Sequence, residues 1–359
     1  MSDRVVRRED FIPEVIWTRG SDGFFLVPVR RQDDPDRWTA LCRSDEGIAT
    51  QVDDGEDRYG GKGVMPTSSS SAPWVMARML DLLDLRDGMA VLEVGTGTGY
   101  NAALLAERTP AGAVTSIEID PAIAEQARTA LDQVGLPVTV VVGDGEAGVP
   151  DRAPFDRIIV TASVARVPYA WVEQTRPGGR IVLPFTSEFG GALLTLTVAD
   201  GAGCGRFDRE AGFMPLRGQR PDPPAWRHGD PDIRTTDREL RAPFDDPAAG
   251  FAVNTRMPGC ALGRLVEGGA APTLLLSHAP SGSWASLRSE PDRHEIAQHG
   301  PRRLWDELEA AYDWWDGLGR PGCDRFGLTV TPEGQTFWCD QPDQTIPTPC
   351  RADADGEAS

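Results

Sequence analysis

Between residues 73 and 186 the apolar positions change period repeatedly. "MAVLEVG", "AVTSIEID", "VTVVVGDG", "FDRIIVTAS" and "GGRIVLPF" are near-continuous apolar runs of strand length. "YNAALLAERT" and "PAIAEQARTALDQVG" stand between them with apolar residues at helical spacing. Apolar strands alternating with helices predict a parallel sheet covered on both faces. Right-handed crossovers make such a sheet doubly wound. A further helix is predicted in "APWVMARMLDLLDL", with Val75, Met79, Leu82 and Leu83 on one face. Ser71 sits where its N-cap belongs and Pro73 falls in its first turn.

The flanks are less regular. In residues 1–64, "FFLVPV" and "RWTALC" read as short strands and "VDDGEDRYGGKG" as a polar loop. "GALLTLTV" reads as an antiparallel strand at the sheet edge. Residues 201–250 are rich in Pro, Asp, Arg and Gly and read as a linker or long excursion. Beyond them come a strand in "APTLLLSHA" and an amphipathic helix carrying Leu304, Leu308, Ala311, Trp315 and Leu318 on one face. A hairpin follows in "RFGLTVTPEGQTFWCD", where Phe326, Leu328 and Val330 alternate. The expected organisation is an N-terminal segment 1–64, an α/β core 65–200, a C-terminal α+β unit 201–350 and a disordered tail 351–359.

Charge narrows the partners. The net charge is −19 with a pI near 4.6, and no long basic run exists. Such a chain repels nucleic acid and anionic membrane surfaces. No stretch of about 18 apolar residues is present, so no membrane span is expected. The first residues hold no leader-like apolar run, so a cytoplasmic location is expected. The six cysteines are scattered without a C-x-x-C pair, and the four histidines lack ligand spacing. Neither a disulfide framework nor a metal site is expected.

The chemistry gathers around "VLEVGTGTGY", which places Gly95, Gly97 and Gly99 between a strand and a helix. The spacing is G-x-G-x-G, neither the dinucleotide form nor a nucleoside-triphosphate loop. Glu93, two residues before the first glycine, suits a cationic ligand better than a pyrophosphate. Glu118, 23 residues beyond Gly95, ends the next strand where a carboxylate meets ribose hydroxyls. Asp144 follows the third strand within reach of an adenine edge. A ligand with a ribose, an adenine and a cationic centre but no phosphate is S-adenosylmethionine. Its candidate contacts are Glu93, Gly95, Thr96, Gly97, Gly99, Glu118, Ile119, Gly143, Asp144 and Gly145.

The loop after the fourth strand is Val160-Thr161-Ala162-Ser163, without the Asn/Asp-Pro-Pro-Tyr/Phe signature of enzymes that methylate bases. "VLEVGTGTGYNAALLAE", "SIEIDPAIAEQA", "VVVGDGEAGVPDRAPFDRIIVTASVARVP" and "QTRPGGRIVLPF" together resemble the protein-L-isoaspartate O-methyltransferase family over roughly residues 65–185. "VRREDFIPEVIW" is similar to that family's Val-Pro-Arg-x-x-Phe-Val-Pro segment. The resemblance implies a Rossmann-like class I methyltransferase sheet that uses S-adenosylmethionine. It matches Ser71 to the serine of the family's Thr-Ile-Ser-Ala/Gln-Pro run, with Ser69 and Ser70 in place of Thr and Ile. Ser71, assisted by Ser70 and Thr161, is the implied anchor for the acceptor carboxylate. A carboxylate is already ionised near pKa 4, so it attacks a sulfonium methyl without a general base.

More than 150 residues follow this core. Their texture resembles longer homologues found with lanthipeptide, lasso-peptide and graspetide clusters. That resemblance implies methylation of an aspartate in a cyclised precursor peptide, followed by aspartimide formation. The alternative is general repair of L-isoaspartyl residues. Trp284, Trp305, Trp314, Trp315 and Trp338 are candidate peptide contacts, the alternative being core positions. Arg302, Arg303, Arg320 and Arg325 are candidate carboxylate binders, the alternative being surface salt bridges. The working expectation is a monomer.

Overall fold

Three sheets organise the computed structural model, which describes residues 6–187, 189–221, 228–266, 272–289 and 293–347. The first is antiparallel, in the order β2-β1-β3-β4, from β1 (Val15–Arg19), β2 (Leu26–Arg30), β3 (Ile48–Val52) and β4 (Pro66–Ser70). Helix α1 (Pro35–Cys42) covers it with the buried Trp38 and Cys42. "RWTALC" therefore lies in a helix and not in a strand. Asp34 accepts the Arg37 N–H at 3.1 Å and Pro35 opens the helix. Two local start signals outweigh the strand preference of Trp and Thr.

The serine run is strand β4, paired to β3 through Ile48 and Ser70, Ala49 and Ser69, and Gln51 and Ser68. The N-terminal sheet thus extends through residue 70, past the expected boundary at 64. Helix α2 (Pro73–Leu83) follows, and its N-cap is Ala72 with no side-chain capping bond. Ser71 is the joint between strand and helix, not the cap.

The central sheet has nine strands. Strands β5 (Ala90–Val94), β6 (Ala113–Glu118), β7 (Val138–Val142), β8 (Phe155–Val160) and β9 (Thr175–Ser187) run parallel in the order β9-β8-β5-β6-β7. Helices α3 (Tyr100–Arg108), α4 (Pro121–Val134) and α5 (Tyr169–Glu173) lie on the connections. Asp120 caps α4 through the Ala122 N–H at 2.9 Å, and Gly135 ends it in the left-handed region. This is the doubly wound α/β fold that the apolar periodicity predicts.

Strand β10 (Gly190–Ala199) pairs antiparallel with β9 but is not an edge. β11 (Ala202–Glu210) continues the sheet beside it. Part of the expected linker is therefore a strand; "RPDPPAWRHGD" lies partly, and the tail 351–359 wholly, outside the described residues.

The third sheet combines β12 (Asp232–Thr236), β13 (Ala261–Leu265), β14 (Thr273–His278), β15 (Ser283–Ser289) and β16 (His294–His299) in the order β12-β16-β15-β14-β13. Two helices, α6 (Ala242–Asp245) and α7 (Pro247–Arg256), precede β13. Helix α8 (Leu304–Gly317) buries Leu304, Trp305, Leu308 and Ala311 against this sheet. Its Trp315 instead joins the central core. Strands β17 (Phe326–Thr331) and β18 (Gly334–Cys339) then return to the central sheet beside β11. The small sheet is an insertion between β11 and β17, and the hairpin belongs to the α/β core. Helix α7 links the two layers, with Phe251 and Ala252 in one core and Val253 in the other.

Candidate active site

The carboxyl ends of β5, β6, β7 and β8 converge where the strand order reverses, the usual place for a crevice in such sheets. The loop from β5 to α3 carries positive φ at Gly95 (94°) and Gly97 (51°). A Cβ on Gly95 would stand 3.0 Å from Thr161 Oγ1, and one on Gly97 3.4 Å from the Ser69 carbonyl. Glycine therefore lets the loop press between β4 and the end of β8. The resulting cleft has an empty volume near 980 Å³, open solvent included.

Three carboxylates occupy three strand ends. Glu93 is fully buried, and its oxygens accept the Asn101 amide at 2.7 Å and the Ser116 hydroxyl at 2.5 Å. Thr96 Oγ1 joins the chain 2.6 Å from Ser116 Oγ. Burial pushes the Glu93 carboxyl up to about 7. Asn101 Oδ1 is left buried without a hydrogen-bond partner, an acceptor on the cleft wall. Glu118 accepts the Gly97 and Asp120 N–H groups at 2.9 and 3.1 Å, and burial raises its pKa. Asp144 Oδ1 accepts the Glu146 N–H at 3.0 Å, while its other oxygen has no partner among the described residues. Ile119 is 38% exposed and presents a flat apolar surface to the same cleft. Gly145 also lines it, where a Cβ would meet Val94 Cγ1 at 2.5 Å.

Two of the expected contacts stand back. Gly99 is the N-cap of α3 and packs on Ala127 of α4, with a Cβ approach of 3.3 Å. Gly143 packs over Ile117. Neither lines the cleft.

The opposite wall is β4. Ser68, Ser69, Ser70 and Ser71 all line the cleft. The Ser69 and Ser71 hydroxyls make no hydrogen bond among the described residues. Ser70 is 3% exposed, and its Oγ accepts Arg8 Nε at 3.0 Å. Thr161 Oγ1 donates to the Gly95 carbonyl at 2.6 Å. Its hydrogen therefore holds the glycine loop in place.

Several wall residues escape the sequence reading. Tyr100 and Asn101 sit one and two residues past Gly99. Met214, Pro215, Leu216, Arg217 and Arg220 come from the Pro/Arg-rich stretch expected to be a linker. The Ser163 N–H donates to the Met214 carbonyl at 2.8 Å, and the Leu216 N–H to the Ser163 carbonyl at 2.9 Å. Arg220 grips Asp54 of the N-terminal lobe at 2.7 and 2.9 Å. The signal was present only as polar residues in a segment without periodicity.

The aromatic and basic candidates of the C-terminal unit are structural. Trp284, Trp305, Trp315 and Trp338 are each no more than 4% exposed. Trp314 packs on Phe326 and under the Arg256 guanidinium. Arg302 pairs with Glu307, Arg303 with Asp232 and Asp306, Arg320 with Asp316, and Arg325 with Asp340. No helix among the described residues is long and apolar enough to cross a membrane.

A parallel α/β sheet with a glycine loop and acidic strand ends places the protein in the class I methyltransferase fold. Residues 61–220 match the family described as Protein-L-isoaspartate(D-aspartate) O-methyltransferase. The chain is 45% identical over 153 residues to the protein-L-isoaspartate O-methyltransferase of Methanothrix thermoacetophila, covering 42% of this chain and 71% of that one. It is 45% identical over 161 residues to the Aeropyrum pernix protein of the same name, covering 44% of this chain and 62% of that one. The chain thus belongs to the protein-L-isoaspartate O-methyltransferase family, though it spans less than two thirds of the Aeropyrum relative. A solved structure titled protein-L-isoaspartate O-methyltransferase aligns over 84% of this chain and 89% of its own, with TM-score 0.50 and 23% identity. That likeness is one of fold, and it reaches well beyond residues 61–220.

Proposed function

We propose that the chain is an S-adenosylmethionine-dependent carboxyl O-methyltransferase acting on an isoaspartyl residue of a peptide or protein. The observation that supports this reading is the meeting, in one cleft, of the uncommitted Ser69 and Ser71 hydroxyls, in and just after β4, with the acidic strand ends around the glycine loop. The residues fit the cofactor's chemistry. Glu118 and Asp144 are acceptors placed for ribose and adenine, and the orphaned Asn101 Oδ1 is an acceptor for an ammonium group. S-adenosylmethionine, when bound, supplies an electrophilic sulfonium methyl.

The chain's residues then have a modest task. An acceptor carboxylate with pKa of about 4 is ionised at neutral pH and needs no base. Ser71, at the N-terminal end of α2, holds it through a hydroxyl and a positive helix end. A carboxylate oxygen takes the methyl as the carbon–sulfur bond breaks, leaving a methyl ester and a neutral thioether. Placement and exclusion of water supply the acceleration.

A second reading is methylation of an aspartate in a cyclised ribosomal peptide, with aspartimide closure and loss of methanol afterwards. It is favoured by Ser69 and Ser70 standing where the family run has Thr and Ile. Incubation with S-adenosylmethionine and three peptides separates the readings. A +14 Da product is expected on a linear isoaspartyl hexapeptide and not on its aspartyl counterpart. A product only on a lactam-cyclised aspartyl peptide selects the second reading. Cofactor binding without any product overturns both.

A further inference from the structure

Behind the serine wall lies a buried cation, Arg8, 6% exposed and with no ion-pair partner among the described residues. Among the described residues all its hydrogen-bond acceptors are neutral. Nε donates to Ser70 Oγ at 3.0 Å, and one terminal nitrogen to the Ser44 carbonyl at 3.0 Å. The other donates to the carbonyls of Glu46, Ser70 and Ser71 at 2.7, 2.8 and 3.0 Å. Asp45 attracts it from a distance but engages the Trp74 N–H at 3.1 Å. A buried charge satisfied only by dipoles is costly to keep.

Three of the five contacts fall on Ser70 and Ser71, which line the cleft. The carbonyls that Arg8 polarises belong to the peptide units whose N–H groups are those of Ser71 and Ala72. Neither amide donates a hydrogen bond among the described residues. Drawing electron density toward the carbonyl makes the N–H of the same peptide unit a stronger donor.

We propose that Arg8 is the positioning residue that makes the Ser70–Ala72 corner selective for an anionic acceptor, acting through the Ser70 hydroxyl and the Ser71 and Ala72 peptide units without touching the substrate. The inference rests on the functional reading above for the identity of the acceptor. It assigns the charge preference of the site to a side chain in the N-terminal lobe, 62 residues before Ser70.

The test compares two probes on the full chain with S-adenosylhomocysteine present: a linear isoaspartyl hexapeptide, and the same peptide with the acceptor carboxylate replaced by carboxamide. Wild type is expected to bind the carboxylate at least tenfold tighter by calorimetry. R8Q should lose most of that preference while its carboxamide and S-adenosylhomocysteine affinities stay within twofold. A purely structural role would weaken both peptides alike and so overturn the inference, as would an R8Q that keeps the preference or a wild type without one. R8K keeps the charge and must keep the preference; its loss there overturns the inference even where R8Q does not fold. The binding comparison needs no turnover, so absence of methyl transfer by wild type strikes only the functional reading.

Discussion

Glu118 Oε2 and the Gly97 amide lie 2.9 Å apart, so one carboxylate fixes the glycine loop while its other oxygen faces the Asp120 N–H. The loop and the end of β6 therefore form a single corner of the cleft. On the proposed reading, the cofactor's ribose meets that corner at a group already oriented by the backbone.

Replacing Glu118 with Ala removes both functions. A hydrogen bond to a charged group contributes about 1.5–3 kcal/mol, so cofactor affinity should fall roughly 10- to 150-fold. Titration calorimetry with S-adenosylhomocysteine reads this directly. Unchanged affinity would show that the ribose does not meet this corner.

Glu93 gives the pH dependence. Its folded carboxyl titrates near 7, above the ordinary value of 4.5, because burial disfavours the charge. The folded state therefore binds more protons than the unfolded state between those values. The stabilisation is complete below pH 4.5 and is lost as pH rises toward 7. At about 1.36 kcal/mol per unit the loss is on the order of 3 kcal/mol. Relative to E93Q, wild type should lose stability in urea melts from pH 5 to pH 8. Parallel profiles for the two proteins would contradict a raised Glu93.

Ser71→Ala should lower kcat/KM for peptide about 10-fold or more while leaving cofactor affinity within twofold. The lost contact is a hydroxyl to a charged carboxylate, the stronger kind of hydrogen bond. Ser71 makes no capping bond, so helix α2 should keep its stability. An S71A protein that turns over like wild type would move the acceptor elsewhere on β4.

How much of this was legible depends on whether local pattern or distant pairing decided each element. Strands β5 to β9 and the positions of Glu93, Glu118 and Asp144 follow from apolar periodicity and glycine spacing, both local. The serine run carries no apolar alternation that would mark a strand. It is a strand only because β3, some twenty residues earlier, offers a partner. Residues 214–220 carry no period at all; they are ordered by Ser163 and Asp54, far away in the chain. Trp315 was offered as a peptide contact although its spacing already fitted the core stripe. The first turns of α8 pack into one core and its last turn into the other, which no single-helix pattern reveals.

Arg220 ties the 214–220 segment to the N-terminal lobe, and both of its bonds end on Asp54. The pair is partly exposed, so its worth is about 1 kcal/mol. R220A should speed S-adenosylhomocysteine dissociation roughly fivefold in stopped-flow displacement, with the melting temperature little changed. An unaltered off-rate would mean that the segment closes the cleft without this tether.

Trp315 separates a structural C-terminal unit from a peptide-gripping one. Its ring is 2% exposed in the central core, and its Nε1 donates to the Pro321 carbonyl at 2.9 Å. Truncation to Ala removes a large buried ring and leaves that carbonyl unpaired, a cost of about 3–5 kcal/mol. Trp315→Ala should shift the urea midpoint strongly downward. At temperatures where it stays folded, its KM for peptide should match wild type, because the ring is not on the surface. A stable W315A with a raised KM would instead put this helix against the substrate.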